Sequence, residues 1–239
     1  MKVRINRYIS MCGYTSRRKA DELIEKGVVF VNDKPVKEPG LSVDTQNDRV
    51  RIGDEELFFE KKRYIMLNKP KLYLTTLENN EDDKRTIMEL ISDLHERVYP
   101  VGRLDFDAEG LLFLTNDGEL AHKLHHPSYA VPKEYLCVLN KKIGKVDMEH
   151  LQNGASLEDG FAKPDSVRLP KSTQSGNVVV ITFHEGKNHL VKRYFNNFGF
   201  KVIKLKRVSV GPLNLGDLKK GQWRDLTKKE MQALFNYLK

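Results

Sequence analysis

The stretch with the clearest chemical potential is residues 101–118, VGRLDFDAEGLLFLTNDG, where Asp105 lies in a loop with Arg103 two residues before it. An ionised carboxylate fixed in such a loop can act as a nucleophile or as a general base. The flanking residues show how it would be fixed. LLFLT (111–115) is too short and too continuously apolar for a surface helix, so it reads as a buried strand that Asn116-Asp117-Gly118 stops. Asp117 is placed to cap a helix over 118–124, its carboxylate accepting the free backbone N–H groups of the first turn. A strand and a capped helix would then hold a tight loop carrying one acid and one guanidinium.

GRLDFDAEGLLFLTNDGELAHKL resembles the catalytic motif of the rRNA pseudouridine synthases, in the branch that modifies small-subunit rRNA and a few large-subunit sites. The match is long and gapless. The acid of GRLD is that family's catalytic aspartate, so the resemblance implies this role for Asp105. Ala108 stands where the family usually has Thr or Ser, and Phe113 where it has Leu or Ile.

Two further segments carry the same resemblance. In EGKNHLVKRYFNNFG, the residues Leu190, Val191, Tyr194, Phe195 and Phe198 form one helical stripe closed by Gly199, with Lys192 and Arg193 off it. The segment is similar to the signature E-G-x-x-H-Q-V-K-R-M. That implies Lys192 as the basic partner of Asp105 and Val191 as the apolar residue beneath the base. Leu190 replaces Gln and Tyr194 replaces Met, which implies altered local contacts to RNA. The strand KEYLCVL places Tyr135 at the family's K-x-Y tyrosine, whose ring packs against uracil; without the resemblance it reads as a tyrosine on a half-buried strand. Arg103 would either hold the RNA backbone or fill the place vacated by a flipped uridine.

The chemistry implied is self-contained. Converting uridine to pseudouridine breaks the C1′–N1 bond, turns the base and joins C5 to C1′, with one carboxylate acting at C1′ or at the 2′ position. No redox cofactor, metal or nucleotide is required, and the sequence has no P-loop, dinucleotide fingerprint or zinc pattern. His122, His125 and His126 occur at helical spacing, but no acid or thiol is gathered with them, so no metal site is expected. Asn68-Lys69-Pro70 superficially suggests a GTPase base-reading motif; without a P-loop it reads as a turn between two strands, one that recurs in the synthases.

The start of the chain resembles a second module. RINRYIS…GYTSRRKADELIEKGVVFVN is similar to the S4 RNA-binding domain. Residues 2–12 have loosely helical spacing, Thr15 and Ser16 offer caps for a helix with Ala20, Leu23 and Ile24 inside, and VVFVN and DRVRI read as strands. The resemblance puts Arg17, Arg18 and Lys19 on RNA phosphates, and Arg4, Arg7 and Arg193 complete the expected RNA contacts. A charged stretch, DEELFFEKKR, marks a boundary near residue 62. We therefore expect an S4-like domain over 1–61 and a catalytic domain over 62–239.

Charge placement supports an RNA partner. Net charge is +8, yet residues 186–239 hold 13 Lys or Arg against 3 Asp or Glu, so the excess positive charge lies in that segment. Cys12 and Cys137 are far apart and form no CxxC pair, no apolar run approaches membrane-spanning length, and the N-terminus lacks a signal-peptide core. The expectation is an α+β fold with a mixed, largely antiparallel sheet and a central cleft, in a cytoplasmic, bacterial, monomeric enzyme acting on ribosomal RNA. RINRYIS…SRRKADELIEKG and GQWRDLT lean toward 23S rRNA, whereas the H-x-V-K-R form of EGKNHLVKR is that of the 16S enzyme. The competing readings are a non-catalytic S4 assembly factor and, from Asp105, Asp107 and Glu109 together, a metal-dependent nuclease.

Overall fold

In the computed structural model, which describes residues 1–77, 84–170 and 176–239, the chain divides into two units. The first comprises Met1–Arg63 with Leu94–Tyr99 and Thr115–Gly118; the second holds the rest. Residues 78–83, within the polar stretch ENNEDDKR, and residues 171–175 lie outside the described ones.

The first unit begins with a strand, Lys2–Arg4, where the spacing suggests a helix from residue 2. Val3 pairs with Val43 and is buried while its neighbours are exposed, so a period of two wins over these three residues. The helix is confined to Ile5–Met11. A second helix, Arg17–Glu25, starts at Ser16, whose hydroxyl accepts the Lys19 N–H at 3.3 Å. Ala20 and Ile24 lie on its inner side against Ile5, Ile9, Val29, Val43 and Val50. A four-stranded sheet in the order Lys34–Val36, Val29–Val31, Val50–Ile52, Glu55–Glu56 completes the unit.

The second unit is built on a mixed sheet of nine strands among the described residues. Its main path runs Ser166–Arg168, Val178–Phe183, Lys133–Leu139, Val202–Val210, Glu109–Thr115, Tyr64–Lys69 and Trp223–Asp225. Most pairings are antiparallel, whereas Val202–Val210 runs parallel to Glu109–Thr115 through Lys206↔Glu109 and Arg207↔Gly110. Every residue of Glu109–Thr115 is buried, as its unbroken apolar run implies. Gly110 is required at the parallel junction. Its φ is +113°, and a Cβ there would overlap the Arg207 main chain. Helices Gly118–His125 and Lys228–Tyr237 pack Leu120, Leu124 and Leu234 into one core with Met66, Leu111 and Phe113.

One expected strand does not form. After Lys69-Pro70 the chain makes a single bridge, Leu74↔Thr86, in place of a second strand. Leu72 adopts a left-handed conformation (φ 67°) and gives its N–H to the Phe106 carbonyl at 2.7 Å. Thr75 exchanges hydrogen bonds with both main-chain groups of Leu104, at 2.7 and 3.3 Å. The Leu72 N–H and the Thr75 hydroxyl are thus committed to the 104–106 loop, while Leu74 bonds through both main-chain groups to residues 85 and 87.

Candidate active site

Asp105 and Ala108 close a turn through an Ala108 N–H to Asp105 carbonyl bond of 3.1 Å. Lys69, at the end of Tyr64–Lys69, supports this turn from within the fold. Its side chain is fully buried, and Nζ donates to the carbonyls of Asp105 and Ala108 at 3.0 Å each and of Pro70 at 3.1 Å. Burial pulls its pKa down to about 8, against the pull of the nearby Asp105 and Asp107 charges.

From the other side, helix Leu190–Asn197 brings Lys192 to the turn. Its Nζ stands 3.2 Å from Asp105 Oδ2 and also hydrogen-bonds Asp107 Oδ1. Partial burial works against the ammonium charge, but the hydrogen bonds to Asp107 and Asp105 outweigh it and hold the Lys192 pKa above its ordinary value. Burial likewise opposes ionisation of Asp107, and Lys192 overcomes it, so that carboxyl titrates below its ordinary value. His189, just before the helix, has left-handed backbone (φ 49°) and puts Nε2 3.5 Å from Asp105 Oδ1. A non-glycine residue held in this conformation at such a place is a constraint typical of functional sites.

Asp105, Ala108 and His189 border a cavity of about 110 Å³. Arg103, Asp105, Lys133, Tyr135, Val191 and Arg207 are among its walls, with Phe113, Phe183 and Leu205 supplying apolar surface. Tyr135 and Arg207 are register partners on neighbouring strands, so they present side chains to the same face. Arg207 is only 4% exposed; its Nε donates to the Leu111 carbonyl at 2.7 Å, and Nη1 reaches the Arg103 carbonyl at 3.4 Å. Lys133 is pulled down to about 8 by burial and then by the Arg207 charge.

The structure thus brings together Asp105, Arg103, Tyr135, Val191 and Lys192. Arg193 lies outside the cavity lining; its guanidinium grips Asp159 with two bonds of 2.9 and 2.6 Å. Tyr194 belongs to the core and not to an RNA-facing surface: it has no exposure, donates its hydroxyl to the Leu151 carbonyl at 2.6 Å, and is pushed up to about 12 by burial. His122 and His126 stack at 4.8 Å, and among the described residues no three His, Cys, Asp or Glu side chains are grouped to hold a metal. Lys69, Lys133, His189 and Arg207 escaped the sequence reading as site residues, and Asp107 entered it only in the nuclease reading. The K-x-Y and H-x-V-K-R spacings that contain Lys133 and His189 were the available signal. In the first unit, Arg4, Arg17, Arg18 and Lys19 are exposed and Arg7 is half-buried.

Residues 63–197 match the RNA pseudouridylate synthase family, and residues 3–55 match the S4 domain. The chain belongs to the RNA pseudouridine synthases. It is 48% identical over 235 residues to an uncharacterized RNA pseudouridine synthase of Aquifex aeolicus (strain VF5), covering 98% of this chain and 94% of that one. It is 37% identical over 234 residues to the ribosomal large subunit pseudouridine synthase B of Bacillus subtilis (strain 168), covering 97% and 95%. A crystal structure of a pseudouridylate synthase superimposes with a TM-score of 0.68 at 29% identity, over 97% of this chain and 99% of that one. This synthase is therefore an RNA-modifying isomerase with an N-terminal S4 domain and an α+β catalytic fold.

Proposed function

We propose that this synthase converts one uridine of ribosomal RNA to pseudouridine, with Asp105 as the catalytic carboxylate. The observation that carries the reading is the Asp105 carboxylate at the mouth of a partly apolar cavity, 3.2 Å from the Lys192 ammonium and sharing that cavity with Tyr135. A flipped uridine would enter with its base against the Tyr135 ring and its underside on Val191. Asp105 then acts on the ribose, either attacking C1′ or taking the 2′ proton, while the C1′–N1 bond breaks. The base turns within the cavity, C5 bonds to C1′, and the C5 proton is exchanged for one on N1. Arg103, exposed at the cavity's edge, either grips the flanking backbone or occupies the vacated stack.

In this reading residues 1–61 form the RNA-binding S4 domain and 62–239 the catalytic domain, working as a monomer in the bacterial cytoplasm. No helix among the described residues is long and apolar enough to cross a membrane. The 23S molecule is the favoured target, supported by the large-subunit name of the Bacillus subtilis relative. Two measurements test the proposal. Asp105→Asn keeps the shape and removes the charge, so it should yield no pseudouridine while still binding RNA; product at the normal rate would end the assignment. Pseudouridine mapping of rRNA from cells with and without the gene should show one signal lost from 23S, and a signal lost from 16S alone would overturn that choice.

A further inference from the structure

Lys192 serves two carboxylates. Asp105 and Asp107 are the first and third residues of the turn closed at Ala108, and their side chains converge on the one ammonium. We infer that Asp107 is a positioning residue of the reaction: it takes a share of the Lys192 charge, so that Asp105 is steadied by the cation without being neutralised by it. The inference rests on Asp105 being the acting carboxylate.

A lysine ammonium is a compact charge with three donors on a flexible stem. Facing Asp105 alone, it would settle into a charge-assisted contact that occupies the oxygen lone pairs needed at the sugar. A second carboxylate on the same turn divides that pull. It also leaves the pair of acids with one negative charge more than Lys192 cancels. That excess is useful, because positive charge develops at C1′ as the bond to N1 breaks and a fixed negative field stabilises it.

The surrounding charges do not perform this task. His189 approaches the other oxygen of Asp105, at 3.5 Å. Lys69 lies behind the turn and spends its donors on main-chain carbonyls. Lys71 acts on Asp107 only through space. Arg207 is directed at the Leu111 and Arg103 carbonyls, and Glu109 is paired with Lys220 at 2.7 Å. Asp107 is 63% exposed, so as a plain surface ion pair it would contribute little to stability, on the order of 1 kcal/mol or less. A kinetic role is what separates the two cases.

The experiment is single-turnover pseudouridine formation on unmodified 16S and 23S transcripts, with RNA affinity measured in parallel. Asp107→Asn should slow the rate roughly tenfold and leave RNA affinity unchanged or tighter. Asp107→Glu, which restores the charge, should recover most of the rate. A full rate in Asp107→Asn overturns the inference, as does a slowing that Asp107→Glu does not relieve. Asp105→Asn is run alongside: if it still forms product, the assignment of Asp105 fails, whereas a dead Asp105→Asn beside a full-rate Asp107→Asn removes only the role of Asp107.

Discussion

The buried ammonium of Lys69 donates to the main-chain carbonyl of Asp105 at 3.0 Å, so the residue with the proposed catalytic carboxylate is held through its backbone by a cation that solvent does not reach. The same nitrogen reaches Ala108, at the other end of the turn. Lys192 faces the side chain of Asp105 and Lys69 holds its main chain. The two lysines divide the work of placement, and each can be removed separately.

Lys69→Met keeps most of the stem volume and deletes the three donors. The carbonyls of Pro70, Asp105 and Ala108 lose their buried partner, at a cost of about 2–4 kcal/mol in unfolding free energy. With the turn loosened, single-turnover rate should fall while RNA binding persists. Chemical denaturation and rate measurements check both, and a variant with wild-type stability and rate would show that the interaction is incidental.

Lys133 gives a pH test. Its folded-state pKa is pulled down to about 8 from 10.5, chiefly by burial. Between these values the unfolded chain binds more protons than the folded one, so this group's contribution to stability rises with pH across the window and is lost as pH falls through 8. Cys12, pushed up to about 12 by burial, acts in the opposite sense above pH 9, because its thiol ionises sooner when unfolded. The contribution of Lys133 is therefore read as a difference. Wild type should gain stability relative to Lys133→Met between pH 7.5 and 9.5, as followed by urea midpoints; parallel curves would contradict the depressed pKa.

The parts of this site that were legible in the sequence are those written as continuous signals. The apolar run 111–115 could only be a buried strand, and the stripe Leu190, Val191, Tyr194, Phe195 could only be a helix face. Asp105 and Lys192 follow from the motif. Lys69 does not, because a lysine in a Pro-containing turn reads as exposed, and full burial of a lysine is rare unless every donor finds an acceptor. The missing strand after Pro70 has the same origin. Leu72 and Thr75 make bonds to residues some thirty positions away in sequence, which no local period reveals. The strand Lys2–Arg4 escaped because three residues are too few to show a period of two against a helical background.

Tyr194 shows how a substitution in a motif can mislead. Its place in the signature suggests a changed RNA contact, yet its ring packs edge-on against Phe183, at 5.2 Å between centroids, and its hydroxyl is spent on Leu151. Tyr194→Phe should leave that carbonyl without its donor and cost about 1–2 kcal/mol. Pseudouridine formation and RNA affinity should be unchanged at a temperature where the variant is folded. A selective loss of RNA affinity would return Tyr194 to the binding surface.

The S4 domain offers the last test. Arg17, Arg18 and Lys19 form the exposed first turn of helix Arg17–Glu25, and among the described residues none of the three has a carboxylate partner. Groups left unpaired in this way are free to displace counterions from RNA phosphates, and such binding appears in the dependence of affinity on salt. Changing all three to Gln should weaken RNA binding across sequences alike. The slope of log affinity against log salt should become shallower by about 2–3, given roughly 0.7 to 0.9 for each phosphate that is no longer neutralised. The modified uridine should stay the same, since phosphate contacts fix position along the RNA and carry little base information, while the cavity around Asp105 accepts the base. Binding titrations at several salt concentrations, paired with pseudouridine mapping of the product, separate these effects. An unchanged slope would take the three residues off the RNA, and a shifted site of modification would mean that the S4 helix selects the uridine.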